Sequence, residues 1–185
     1  MISLLTGQVQ EIGIESAVLI VGGVGFEVSL APRQLAQLRV GDEASIYTRM
    51  IVKEDDIALY GFASKVERDQ FDLLCSVSGI GPRLAMTVIA GLDPDSFADA
   101  INKQDEQVFR NIVGIGPKTA KLILLSLAGK TQQVVSPTAH RVLLALKQLG
   151  TDESRARSAL SQVDNSLSES EMLKQALKLI GGAMS

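Results

Sequence analysis

Two short stretches hold the residues that could do chemistry. Ser78-Gly79-Ile80-Gly81-Pro82-Arg83-Leu84-Ala85 and Val113-Gly114-Ile115-Gly116-Pro117-Lys118-Thr119-Ala120 are one motif written twice. Two glycines in each copy let the backbone turn tightly and let a ligand come close to it. Pro82 and Pro117 suit the first turn of a helix, where no amide hydrogen is needed. The helix that follows opens with unpaired amides and the positive end of its dipole. Such a turn takes an anion, and Arg83 or Lys118 sets a full positive charge beside it. One copy reads equally well as a plain connection between helices. Two copies in register point to phosphate binding.

Helices must position both turns. Ser64, with Glu67 three residues on, is a capping-box start for a helix through Phe71, Leu74 and Cys75 to the Gly79 turn. Met86 to Leu92 continues beyond that turn. Asp93-Pro94-Asp95 opens a further helix carrying Phe97, Ala98 and Ile101, and a short one holds Val108, Phe109 and Ile112. Lys121 to Leu127 follows the second turn. These apolar positions recur at helical spacing and read as core, Cys75 among them.

Residues 2 to 62 read as β structure instead. Ile2–Val9, Ala17–Val21, Val24–Leu30, Ala44–Val52 and Ile57–Phe62 are strand candidates, with Gly22-Gly23 as a hairpin turn and Pro32–Leu38 as a short helix. Five short strands and one small helix predict a closed barrel of the OB type, with an SH3-like barrel as the competitor. The turn Glu54-Asp55-Asp56 has two readings: a solvated hairpin tip, or an acidic probe that repels phosphates. The residues alone favour the first.

Gly129 to Pro137 is a polar linker. Its Gly129-Lys130-Thr131 resembles the tail of a P-loop, but Leu124 stands where that motif needs glycine and the preceding segment is helical. ATP binding there is rejected. Residues 138 to 185 form a third unit of three short helices: His140–Leu149 stopping at Gly150, Asp152–Val163, and one opened by Ser168 and Glu171 that runs through Met172, Leu173, Ala176, Leu177 and Ile180. His140 is the only histidine and reads as a surface residue.

Composition narrows the function. Lys+Arg number 18 against 21 Asp+Glu, a formal net charge of −3, so DNA or RNA contact must use a local basic face. Aromatics make up 4% of the chain with no Trp, which argues against base-stacking platforms. Cys75 is the only cysteine, which excludes an internal disulfide and a cysteine-rich zinc site. There is no signal-peptide pattern and no membrane-length apolar run, so a cytoplasmic protein is expected. No carboxylate cluster with metal spacing and no nucleophile with a matching base is present, so a binding protein without metal or cofactor is expected.

The doubled motif resembles tandem helix-hairpin-helix DNA-binding motifs. Together with Gly22-Gly23-Val24-Gly25-Phe26-Glu27-Val28 and Lys53-Glu54-Asp55-Asp56-Ile57-Ala58-Leu59-Tyr60-Gly61-Phe62, it resembles the RuvA family of the bacterial branch-migration complex over essentially the whole chain. The resemblance implies a multidomain α+β protein: an OB-fold barrel (1–63), a tandem helix-hairpin-helix domain (64–128), a flexible linker (129–137) and a three-helix, UBA-like bundle (138–185). It implies a non-catalytic subunit that forms a homotetramer, or two paired into an octamer. That assembly would hold a Holliday junction open for the hexameric RuvB ATPase, with the RuvC resolvase as a further partner. Gly79, Gly81 and Arg83 would grip one backbone strand, and Gly114, Gly116, Lys118 and Thr119, with Lys121, the other. Glu54 and Asp55 would be an acidic pin at the crossover, which reverses the preference for a bland turn. Leu146 and Leu149 would touch RuvB. Pro117 departs from the pattern, since relatives often carry two adjacent basic residues there. The competing classes are a DNA-repair enzyme, nuclease or lyase, that docks through the hairpins, and an RNA-binding OB module.

Overall fold

A computed structural model describes residues 1–128, 137–164 and 167–182. The N-terminal part is a barrel of β1 (Leu4–Ile12), β2 (Ser16–Val21), β3 (Val24–Ser29), β4 (Glu43–Val52) and β5 (Ile57–Phe62). The strands close in the order β1-β2-β3-β5-β4. Every pairing is antiparallel except β3 with β5, which run parallel and meet at Ser29 and Tyr60. That order is the OB arrangement and removes the SH3-like alternative. Alternation along the strands points Leu5, Leu19, Val28, Ile46 and Leu59 into the barrel. Helix α1 (Pro32–Leu35) is a single turn that ends short of the expected Leu38. The Ala36 amide closes it on Pro32, and Leu35 is buried in the barrel core.

Helix α2 (Lys65–Cys75) is bolted to the barrel by charge and rings. Phe71 lies 5.0 Å from Phe62 and 5.3 Å from Tyr60, ring centre to ring centre. Arg49 of β4 makes a two-pronged ion pair with Asp72, its Nε donating to Oδ1 at 2.6 Å. The Glu67 carboxylate is buried and accepts from Arg33 (2.8 Å), from the Gln34 amide group (2.7 Å) and from the Ala63 amide (3.0 Å). The expected capping box therefore forms only in part. The Ser64 hydroxyl accepts from the Glu67 amide at 3.2 Å, but the Glu67 side chain serves the barrel.

Helix α3 (Pro82–Gly91) follows the first turn. Then come α4 (Pro94–Lys103), α5 (Glu106–Arg110) and α6 (Pro117–Leu127), with Phe97 and Phe109 edge to face at 5.8 Å. Last are α7 (Pro137–Gln148), α8 (Glu153–Leu160) and α9 (Glu169–Gly182), which share a core of Val142, Leu143, Leu146, Ala156, Met172 and Ala176. The Ser168 amide donates to the Glu171 carboxylate at 3.2 Å at the start of α9. The packing divides the chain into two compact units. One is residues 1–92 with 112–114, the other 93–111 with the described residues from 115 onward. Residues 129–136 lie outside the described residues, and with them most of the expected linker and the P-loop remnant.

Candidate nucleic-acid interface

Each turn is built by the same local rules. In the first, the Ser76 amide closes α2 on Asp72, buried Val77 and Ile80 anchor the loop, and the Ile80 amide donates to Val77 at 3.0 Å. In the second, the Asn111 amide closes α5 on Gln107, and buried Ile112 and Ile115 are the anchors. Gly79 and Gly114 have φ of 84° and 86°, a left-handed backbone that an L side chain rarely adopts. Gly81 and Gly116 have φ of −88° and −85° with ψ of 171° and 172°. Any residue can adopt that backbone. A Cβ at either position would meet no atom of the described residues within 4 Å, its own chain neighbours aside. The fold itself therefore has no need of glycine at 81 or 116.

The helix starts point the same way. Ser64, Asp93, Asp105 and Asp152 cap α2, α4, α5 and α8 with their side chains, and each of those helices has an acid in its first turn. Helices α3 and α6 have glycine caps, no side-chain cap and no acid in the first turn. Their first intrahelical bonds run from Ala85 to Gly81 and from Ala120 to Gly116, so the amides of Arg83, Leu84, Lys118 and Thr119 come before the helical ladder. Two helix N-termini are thus left uncompensated, with four donors between them.

Arg83, Lys118 and Lys121 are exposed and, among the described residues, have no ion pair, whereas Lys65, Arg68 and Lys103 nearby are each paired to an aspartate. Thr119 is half-buried at the second turn. Arg110, which the sequence reading passed over, is likewise exposed and unpaired at the end of α5, four residues before Gly114. Its signal was a basic residue on the approach to the turn. Tyr60 is a second omission. Burial holds its hydroxyl above the usual phenol value while the Arg83 charge pulls it back, and Asp56 and Cys75 push it up. Tyr60 thus feels both the first hairpin and the acidic turn. Cys75 is half-buried rather than fully core, and burial pushes its thiol up to about 11, against the pull of Arg49.

Glu54 and Asp55 form the exposed tip between β4 and β5, closed by the Lys53 amide on the Asp56 carbonyl at 2.8 Å. Leu149 is 64% exposed, whereas Leu146 has no exposed surface and belongs to the core of its own bundle. Leu146 cannot reach a partner and instead supports the surface from beneath. Among the described residues no group of three His, Cys, Asp or Glu could hold a metal ion, and no helix is long and apolar enough to cross a membrane.

Known proteins match along the whole of this architecture. The family model described as the RuvA N-terminal domain matches residues 1–61, and the SAM-like helix-hairpin-helix tandem matches residues 71–128. The Holliday junction branch migration complex subunit RuvA of Leifsonia xyli subsp. xyli is 44% identical over 184 residues, covering 92% of this chain and 89% of that protein. The proteins of the same name from Arthrobacter sp. (strain FB24) and Clavibacter sepedonicus are 41% and 38% identical, over 94% and 98% of this chain and 86% and 92% of theirs. With its barrel, its paired hairpins and these relatives in one continuous match, the chain belongs to the RuvA family.

Proposed function

We propose that this chain binds Holliday junctions by their shape and holds them open for branch migration, as the non-catalytic DNA-binding subunit of a complex whose motor is the separate RuvB ATPase. The observation that carries the reading is the pair of glycine-capped, acid-free helix starts, each with a cation that no carboxylate among the described residues pairs with. Amides of Arg83 and Leu84 would hold one backbone strand and those of Lys118 and Thr119 the other. Arg83, Lys118, Lys121 and Arg110 add charge. Backbone amides and single charges position phosphates and read no sequence. Glu54 and Asp55, as an acidic pin, would keep phosphates away from the crossover. A homotetramer would supply a set of hairpins for each arm of the junction. Leu149 offers an apolar contact to RuvB, and RuvC would act on the junction so held. The place of action is the cytoplasm.

The test is a gel-shift comparison of a four-way junction, a linear duplex of equal length and single-stranded RNA across a salt series. The junction should bind tightest, with affinity falling steeply as salt rises, because bound phosphates release counterions. Equal affinity for junction and duplex overturns the reading. Metal-dependent cleavage of the junction by the pure chain would favour the repair-enzyme alternative. Lys118→Ala should weaken junction binding by about 1–2 kcal/mol, the scale of a charge-assisted hydrogen bond, with oligomeric mass unchanged. Unchanged affinity in a folded variant would make the second hairpin a structural turn only.

A further inference from the structure

The two strands that carry the acidic turn outrun the barrel. β4 pairs with β1 over Glu43–Tyr47 and with β5 over Tyr47–Val52, and β5 meets β3 only at Tyr60. Beyond those points residues 50–52 and 57–59 form a two-stranded ribbon. Alternation gives β4 an inward face of Ile46, Thr48, Met50 and Val52. Ile46 and Thr48 are 5% and 1% exposed, Met50 is half-buried, and Val52 is 61% exposed. On β5 the same face goes from Leu59, 9% exposed, to Ile57 at 69%. Val52 and Ile57 stand directly opposite each other and share one side of the ribbon. The stripe that fills the barrel therefore continues past its end into the open, just below Glu54 and Asp55.

We propose that Val52 and Ile57 form an apolar shoulder that packs against the faces of bases left unpaired at the crossover. This rests on the junction-binding reading above. Charge selects the occupant. Glu54, Asp55 and Asp56 crowd the tip, where Lys53 is the one cation of the turn itself, so a phosphate backbone, an anionic lipid surface or an acidic peptide is repelled. Of the parts of a nucleic acid, only the base presents a flat, uncharged face that can approach such a tip and gain from an apolar neighbour. Branched aliphatic side chains that press on base steps and unstack them are an established way to distort DNA. The acidic tip thus turns phosphates aside while the shoulder receives the bases that part.

The experiment uses the full chain with Val52→Thr and Ile57→Thr together, which keeps branched, strand-forming side chains and removes apolar surface. Two junctions are compared, one fully paired and one with mismatched bases at the crossover, each carrying a fluorescent base analogue at the centre. Wild-type protein should prefer the mismatched junction roughly three- to tenfold. The double variant should lose that preference and at least half of the fluorescence change, with unchanged melting temperature and unchanged mass by light scattering. Wild-type preference and fluorescence in the double variant overturn the proposal. So does a fall in oligomeric mass, which would make this face a contact between copies of the chain. If the double variant melts several degrees low, Val52→Thr alone decides: wild-type fluorescence in that folded single variant overturns the shoulder, and a partial loss supports it. Lys118→Ala separates the two levels. If it weakens binding while the double variant behaves as wild type, the shoulder alone fails. If it leaves binding intact, the junction reading fails and the shoulder with it.

Discussion

Gly81 and Gly116 are residues whose type the chain does not itself require, and this separates binding from folding at single positions. Their backbone is extended and a methyl group at either site meets open space. Gly116→Ala should therefore leave stability unchanged or raise it by about 0.4–1 kcal/mol, through the lost freedom of the unfolded chain. The same change should lower junction affinity several-fold, because the new methyl stands where a phosphate would approach. Gly114 is the opposite case. Its φ of 86° is left-handed, so Gly114→Ala should cost about 1–2 kcal/mol of stability by itself. Urea unfolding and gel shifts on the two variants check the contrast. Equal stability losses would mean that both glycines serve the fold alone. The motif was legible as Gly-Ile-Gly-Pro-basic, but the different duties of its glycines were not, since backbone angles are not written in residue types. Leu146 shows the same limit. Its spacing marks an apolar helix face, but only packing tells that it is the buried side, with Leu149 at the surface.

At the scale of elements, the first hairpin is held to the barrel by Glu67, a residue that the sequence presents as a routine capping glutamate. The Ser-x-x-Glu spacing correctly located the start of α2. It could not show that the carboxylate turns to Arg33 and Gln34, because those partners lie more than thirty residues away. Removing it leaves the Gln34 side-chain amide and the Ala63 amide without this acceptor and takes the carboxylate from Arg33, which keeps its bond to the Leu92 carbonyl, in a mostly buried setting. Glu67→Ala should thus cost roughly 3 kcal/mol, the scale of a broken buried pair. Unfolding in urea measures it, and a loss under 0.5 kcal/mol would mean that water replaces the carboxylate there. Strand positions were legible from alternation and turn residues, and β5 was located to the residue. β1 runs on to Ile12, past the expected Val9, because an irregularity between Val9 and Glu11 lets it keep pairing with β2. Period-two patterning does not signal such a shift. Nor does it signal the parallel meeting of β3 and β5, which decides the barrel type through a single pair of residues.

At the scale of the molecule, a chain of formal net charge −3 must hold a polyanion, and the distribution of charge makes this possible. The three cations of α2 and α4, Lys65, Arg68 and Lys103, are each tied to an aspartate, while Arg83, Lys118 and Lys121 at the two hairpins have no ion pair among the described residues. The acids at the β4–β5 tip, proposed above as a pin, are the exception, and they are the sharpest test of how the parts cooperate. A carboxylate close to phosphates can only reduce affinity, so a protein shaped for binding alone gains nothing from Glu54 and Asp55. They help if the crossover must stay open and mobile, with strands steered outward as base pairs exchange. Glu54→Gln with Asp55→Asn keeps shape and removes charge. The double variant should bind a four-way junction as tightly as wild type or more so, with the gain largest at low salt, where screening is weakest. It should also open the crossover less, read by fluorescent base analogues at the centre, and change the rate of branch migration when RuvB is added. An acidic turn remote from DNA would leave all of these at wild-type values apart from a small change due to net charge. Affinity that rises while opening falls would show that binding energy is given up at the tip so that the junction can move.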